Sequence, residues 1–225
     1  MLWWARPSVL LRTFYTKGDS RMAMETRNNQ RVLITGGGRG LGAAIGRRLA
    51  ADGMFVGLLA RTASELEATV AEIAESGGHA DPLVCDVLDS SALEEAVARF
   101  RSDAGGIDAV VCAAGGIEAI GPLRLVDIED WARDVETAVV GTARTIRATL
   151  PDLTASGRAS ILVLVGPGHN QGLKYATGYA AAQAALVRLV ESLGQELAPE
   201  AIRVYAVNPG LAPTRMTRRL IDTPE

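Results

Sequence analysis

The chain is poor in the residues that mark several large classes of protein. Among its 225 residues, aromatic side chains make up 4 %, there are two cysteines and two histidines, and the formal net charge is −3. That charge gives no electrostatic case for nucleic-acid binding, which needs a basic patch or stripe. No apolar run reaches the roughly 20 residues that span a bilayer. We therefore expect neither a nucleic-acid partner nor a membrane-spanning segment.

The two cysteines, Cys85 and Cys112, do not form a CxxC pair or belong to a ligand cluster. We therefore predict no metal site and no disulfide framework. In the sheet order given below, the two residues end strands that are separated by two others. At ~4.8 Å per strand step they lie about 14 Å apart, too far for a disulfide. For the main body of the chain, this cysteine usage indicates a cytoplasmic location.

What the chain does have is enough apolar sequence for one core. Hydrophobic residues make up 48 % of it, and we expect a single domain over residues 30–225. Residues 1–29 differ, since Met1 to Lys17 carries three basic residues and no acid. That composition fits a mitochondrial transit peptide, or an upstream extension with Met22 or Met24 as the initiator. In either case we expect residues 1–29 to be disordered and to lie outside the core.

Short apolar strands alternate with alanine-rich amphipathic helices from Arg31 onward, which is the pattern of parallel βαβ units. The predicted strands are 31–35, 55–59, 82–85, 108–112, 160–165 and 202–207. The predicted helices are 41–52, 62–76, 90–103, 127–150 and 174–198. The alternation predicts the α/β fold class. Because connections between parallel strands are right-handed, we expect a doubly wound parallel sheet of six strands in the order 3-2-1-4-5-6. Its ligand is expected at the carboxyl ends of the strands.

A glycine-rich turn after the first strand is the most informative motif. The strand ends at Thr35, the glycines follow, and a helix begins near Leu41. Glycine tolerates positive φ and, without a Cβ, lets backbone N–H groups approach a pyrophosphate at the start of a helix. The TGxxxGxG spacing differs from the plain GxGxxG and resembles the cofactor loop of the short-chain dehydrogenase/reductase (SDR) family. The cofactor-binding candidates in this loop are Thr35, Gly36, Gly38, Arg39, Gly40, Leu41 and Gly42.

The end of the second strand indicates which dinucleotide binds. A fold that selects NAD usually places an acid here, on the ribose 2′-hydroxyl. This chain instead has Ala60 followed by Arg61, and Arg39 lies inside the glycine loop. Two guanidiniums and no acid suit a 2′-phosphate, because arginine offers bidentate, charge-assisted hydrogen bonds to phosphate. We therefore predict that the cofactor is NADP(H).

Three further segments support the resemblance, which covers about residues 31–216 and implies a Rossmann-like fold. Asp86 and Val87, which follow the third strand, resemble the family's pair that contacts adenine. The turn Cys112-Ala113-Ala114-Gly115 after the fourth strand matches the family's NNAG, except that both asparagines are absent. Asn208-Pro209-Gly210 resembles the segment that holds the nicotinamide carboxamide. The resemblance adds these cofactor-binding candidates: Asp86, Val87, Ala114, Gly115, Tyr179, Gln183, Pro209, Gly210 and Thr214.

The family's catalytic Asn-Ser-Tyr-Lys tetrad is present only in part. Tyr179 begins a segment that matches the family's YxxxK helix, but Gln183 stands where the lysine belongs. Gly166, thirteen residues before the tyrosine, takes the serine position. Ala138, three residues before a helix glycine, takes the asparagine position. The resemblance therefore implies a degraded site in which Tyr179 is the one tetrad side chain that remains.

Loss of the lysine changes the acidity expected of Tyr179. Removing a positive charge ~5 Å from a phenolate, at an effective dielectric constant near 20, costs roughly 3 kcal/mol. This is about two pKa units, so the pKa of Tyr179 is expected close to its ordinary value near 10. A neutral tyrosine can donate a proton in a reduction, but it is a poor base in an oxidation.

Three functions fit these residues. The first is a weak or specialised NADP-dependent oxidoreductase that acts on a small carbonyl or alcohol substrate, with Tyr179 as proton donor. The second is a non-catalytic NADP-binding protein or partner subunit. The third is an SDR-derived enzyme of non-redox chemistry, with His169 from the loop after strand five and Tyr179 as acid and base.

The resemblance has two implications for assembly. In the family, helices such as 127–150 and 174–198 pack across a dimer axis, and this chain has small residues along them, so a homodimer is expected. The family also has a further helix and a seventh strand beyond the position of Glu225. We expect the sheet of this chain to keep six strands, with an open last edge.

Overall fold

Six parallel strands form one sheet in the computed structural model, which describes residues 30–210 and 212–221. The predictions for residues 1–29 lie outside the described residues. The strands are β1 (Arg31–Thr35), β2 (Phe55–Ala60), β3 (His79–Val84), β4 (Ala109–Cys112), β5 (Ser160–Leu164) and β6 (Arg203–Val207). Their order, β3-β2-β1-β4-β5-β6, confirms the predicted topology.

Helices pack against both faces of this sheet. They are α1 (Gly40–Ala51), α2 (Ala63–Glu75), α3 (Ser90–Ala104), α4 (Ile128–Val135), α5 (Gly141–Ser156), α6 (Thr177–Glu196) and α7 (Arg215–Ile221). Side chains of the central strands alternate between two core clusters, since Leu33 belongs to one and Ile34 to the other. This alternation explains why the strands read as continuous apolar runs, because a parallel sheet is buried on both faces.

The structure corrects the bounds of several predicted elements. The predicted helix 127–150 is interrupted by a π-helical turn, Glu136–Val140, between α4 and α5. The predicted helix 174–198 begins only at Thr177, because Tyr175 has a φ of 66° that an α-helix cannot contain. β3 begins at residue 79 rather than 82, and α7 was not predicted.

The surface features relevant to assembly are small residues on α6 and the strand β6, which is the last strand of the sheet among the described residues. Ala181 and Ala184 are exposed on α6, but the predicted homodimer remains a prediction. On the edge strand β6, Tyr205 and Val207 are partly exposed. Among residues 30–210 and 212–221, no helix is both long and apolar enough to cross a bilayer.

Candidate active site

A cavity of about 500 Å³ lies at the carboxyl ends of the strands, lined by residues that follow each of the six. The position agrees with the ligand site of doubly wound sheets. It brings together every predicted cofactor and tetrad position except Thr35. The lining residues not identified from the sequence include Thr62, Glu65, Glu118, Thr137, Arg215 and Thr217.

The glycine loop forms one wall of the cavity, and it has no space for a side chain at Gly36 or Gly42. Gly36 has a φ of 69°, and a Cβ there would lie 2.7 Å from the carbonyl oxygen of Ala113. At Gly42, a Cβ would lie 2.2 Å from the carbonyl oxygen of Gly36. Thr35 lies behind this wall, where its Oγ1 accepts hydrogen bonds from the backbone N–H groups of Ala113 and Ala114. It therefore joins the turns after β1 and β4 and does not line the cavity.

Charged side chains gather at the end of the cavity beside the glycine loop and β2. Arg39 Nη1 lies 3.1 Å from Glu65 Oε1, and Arg215 Nη2 lies 3.1 Å from the same oxygen. Arg61 Nη1 lies 3.7 Å from Asp86 Oδ2. This end therefore holds three guanidiniums and two carboxylates. The sequence motifs identified Arg39, Arg61 and Asp86, but they carry no signal for a contact between residues 65 and 215.

Tyr179 lies beside Gly166, just after β5, and is almost fully buried. It packs in a small apolar cluster with Ile117 and Ala176, and Met216 from α7 packs against this cluster. Burial raises the pKa of Tyr179 above its ordinary value, because an apolar surrounding disfavours the charged phenolate. The hydroxyl of Tyr179 therefore keeps its proton at neutral pH.

The replacements at the serine and lysine positions are linked to each other in the structure. A Cβ on Gly166 would lie 1.9 Å from the hydroxyl oxygen of Tyr179, so that hydroxyl fills the space where a serine side chain would begin. Gln183, one turn beyond Tyr179 on α6, accepts a hydrogen bond from the backbone N–H of Gly166 at 2.7 Å. The amide of Gln183 therefore holds the end of β5 against α6, a contact that the motif comparison did not predict.

The π-helical turn presents Ala138 and Thr137 to the cavity. Ala138, at the asparagine position, is buried and supplies no polar group. One turn earlier, the buried carboxylate of Asp134 accepts hydrogen bonds from the backbone N–H groups of Glu118 and Ala119. Burial raises the pKa of Asp134, although these hydrogen bonds act in the opposite direction. Asp134 thus fixes the loop after β4 that lines the cavity.

His169 is not among the residues that line the cavity. Its Nδ1 lies 3.1 Å from the carbonyl oxygen of Gly166 and 3.4 Å from Nδ2 of Asn208. The role of His169 as a substitute acid or base remains a prediction without a supporting contact. Lys174 lies 4.6 Å above the ring of Tyr175 and does not line the cavity either. In the described part of the chain, no cluster of potential ligands could hold a metal ion.

Gly166→Ala is expected to lower the free energy of unfolding by about 1–3 kcal/mol, the usual cost of overpacking. The added Cβ would overlap the hydroxyl of Tyr179. Removing that hydroxyl with Tyr179→Phe should recover about half of the loss or more in the double variant. Urea denaturation of the four proteins measures the coupling. Gly172→Ala is the matched control, since a Cβ there would meet nothing within 4 Å. Equal stability of the Gly166 and Gly172 variants would contradict the expectation.

Known proteins of similar sequence share this fold. Residues 30–225 match the family model described as short chain dehydrogenase. The short-chain reductase protein NovJ of Streptomyces niveus is 34 % identical over 193 residues, which cover 85 % of this chain and 72 % of the relative. An NAD+-bound xylitol dehydrogenase superposes with a TM-score of 0.83 at 29 % identity, over 87 % of this chain and 75 % of that one. An actinorhodin polyketide ketoreductase variant with NADPH gives a TM-score of 0.81 at 32 % identity, over 85 % and 74 % of the two chains.

Proposed function

Since this chain belongs to the short-chain dehydrogenase family, we propose that it binds NADP(H) and reduces a carbonyl group, with Tyr179 as the proton donor. Both a reductase and dehydrogenases are among its relatives. The strongest support is a single cavity lined by the glycine loop, the arginines and Tyr179. A cofactor and a small carbonyl compound can therefore meet beside Tyr179.

The residues at the loop end fit a dinucleotide that carries a 2′-phosphate. The glycine loop lines the cavity just before α1 begins, where backbone N–H groups at a helix start can bind a pyrophosphate. Arg39 and Arg61 line the same end of the cavity, where guanidiniums can bind a phosphate. When bound, NADPH supplies the hydride that reduces a carbonyl carbon.

In the same cavity, Tyr179 gives its proton to the carbonyl oxygen as that oxygen gains negative charge. Its raised pKa keeps it in the donor form at neutral pH. No hydroxyl comes from position 166, and an oxyanion donor of this kind is typically worth ~2.7–4 kcal/mol. Gln183 places no positive charge beside the tyrosine. We therefore propose a slow reductase rather than an efficient one.

A second candidate is a binding protein that holds NADP(H) without turnover. It is favoured by the packing of Tyr179, whose hydroxyl occupies the space of the missing serine side chain. The two candidates share cofactor binding and differ only in turnover. A panel of carbonyl compounds, followed by the loss of NADPH absorbance, distinguishes them when Tyr179→Phe is run in parallel. Turnover that disappears in this variant supports the reductase, and no turnover with any compound supports the binding protein.

NADP(H) is expected to bind at least about tenfold more tightly than NAD(H), a typical gain from charge-assisted phosphate contacts. Arg61→Ala should reduce this preference, because Arg61 lines the end of the cavity where the 2′-phosphate is proposed. Titration of both reduced cofactors, followed by nucleotide fluorescence, measures the ratio. Arg47→Ala is the control, since Arg47 pairs with Glu72 and does not line the cavity. Equal affinities, or a ratio unchanged by Arg61→Ala, would contradict the proposal.

A further inference from the structure

Glu65 joins two arginines that come from distant parts of the chain. Arg39 belongs to the glycine loop, whereas Arg215 begins α7, after the last strand. Both donate to the same oxygen, Glu65 Oε1, at 3.1 Å. All three residues line the cavity. Two guanidiniums therefore converge on one anionic oxygen, at the end of the cavity that also holds Arg61.

We propose that Arg215 is a third arginine for the 2′-phosphate of NADP(H), and that Glu65 takes the place of this phosphate in the free protein. This inference rests on the proposed NADP(H) function. A phosphate monoester carries close to two negative charges and presents three acceptor oxygens. It therefore satisfies both guanidiniums better than one carboxylate oxygen does, and binding transfers Arg39 and Arg215 from Glu65 to the phosphate.

Because the three side chains are partly exposed, moving the two guanidiniums from Glu65 to a phosphate costs little free energy. The side chains of Arg39 and Arg215 are 55 % and 68 % exposed, and that of Glu65 is 29 % exposed. Ion pairs between exposed groups are weakened by water and contribute little to stability. The ion pairs with Glu65 orient the two guanidiniums, and a phosphate, which carries more negative charge, can replace the carboxylate. Glu65 in turn repels a phosphate, so it lowers the affinity that the arginines provide.

The segment that carries Arg215 is a compact turn. Thr217 Oγ1 donates to the carbonyl oxygen of Ala212 at 2.6 Å and accepts from the backbone N–H of Thr214 at 2.8 Å. Met216, next to Arg215, packs against the apolar cluster of Tyr179. A phosphate bound by Arg215 therefore also holds the turn that covers Tyr179. NADPH stabilises this turn, whereas NADH, which has no 2′-phosphate, does not.

Cofactor affinities of two variants test the role of each charge. Arg215→Ala is expected to weaken NADPH binding about fivefold or more and NADH binding less than about twofold. Glu65→Gln should strengthen NADPH binding about threefold and leave NADH binding unchanged, because it removes the competing charge. Arg47→Ala is again the matched control, since it breaks an ion pair between α1 and α2 that lies outside the cavity.

Tryptic cleavage after Arg215 in the unsubstituted protein gives a second readout that does not depend on turnover. At saturating cofactor, NADPH is expected to slow this cleavage about tenfold relative to NADH, because a protease needs the turn to open. Equal protection by the two cofactors would show that the 2′-phosphate does not hold the turn.

The outcomes separate this inference from the function on which it rests. Equal affinity of the unsubstituted protein for NADPH and NADH would overturn both. A preference for NADPH that Arg215→Ala leaves intact would overturn only the role of Arg215. If Arg215→Ala weakens NADPH and NADH binding equally, the role of Arg215 is also overturned, because its contact then does not involve the 2′-phosphate.

Discussion

Alcohol oxidation by this protein is expected to rise about tenfold for each pH unit between about pH 7 and pH 10, while carbonyl reduction stays flat. Oxidation needs the phenolate of Tyr179 as base, and reduction needs the neutral phenol as donor. Burial raises the pKa of Tyr179 above its ordinary value. At pH 7, fewer than about one protein molecule in a thousand therefore carries Tyr179 as the phenolate. Its fraction grows with pH until the raised pKa is reached, so the rise continues through pH 10.

One carbonyl compound and its alcohol, run in both directions across this range, provide the measurement. Circular dichroism at each pH confirms that the protein remains folded. Tyr179→Phe is the control, since it keeps the ring and removes the acidic hydroxyl. We expect it to lose activity in both directions. If it is as active as the unsubstituted protein, Tyr179 is not the proton donor and the proposed mechanism is wrong.

Restoring the family's tetrad as a set should raise carbonyl reduction by about a hundredfold or more. The variant combines Ala138→Asn, Gly166→Ser and Gln183→Lys. Serine adds a donor for the carbonyl oxygen, a group typically worth ~10²–10³ in rate where such donors have been deleted. A lysine one turn from Tyr179 places a positive charge on the same helix face, which lowers the pKa of the tyrosine.

The local packing limits what each single substitution can gain. Gly166→Ser alone would force the hydroxyl of Tyr179 to move, because that hydroxyl fills the space of the new side chain. Gln183→Lys alone would remove the acceptor of the Gly166 N–H. We therefore expect each single variant to gain less than about tenfold. The triple variant should exceed the product of the singles, because catalytic groups that act as a unit on one substrate oxygen have non-additive effects. The measurement is kcat/KM with NADPH. A folded triple variant that binds NADPH without any gain would show that the tetrad does not limit the rate.

The sheet order, the glycine loop and the alignment of Tyr179 with Gln183 could all be predicted from the sequence. Each depends on residues close together in the chain, such as an apolar strand followed by glycines or two positions one helical turn apart. Local steric rules and short connections then determine the arrangement. The predictions were less accurate at the ends of helices. The π-helical turn around Ala138 and the left-handed Tyr175 depend on packing that no local pattern records.

Contacts between distant segments were decided only by the tertiary structure. The hydroxyl of Tyr179 fills the space of a side chain at Gly166, and Gln183 binds the backbone of the same glycine. Glu65 and Arg215 meet although 150 positions separate them. Each of these contacts depends on the direction of a side chain across the interface of two elements. Sequence spacing determines which elements form, but directional hydrogen bonds and steric fit between them exist only once the elements have packed.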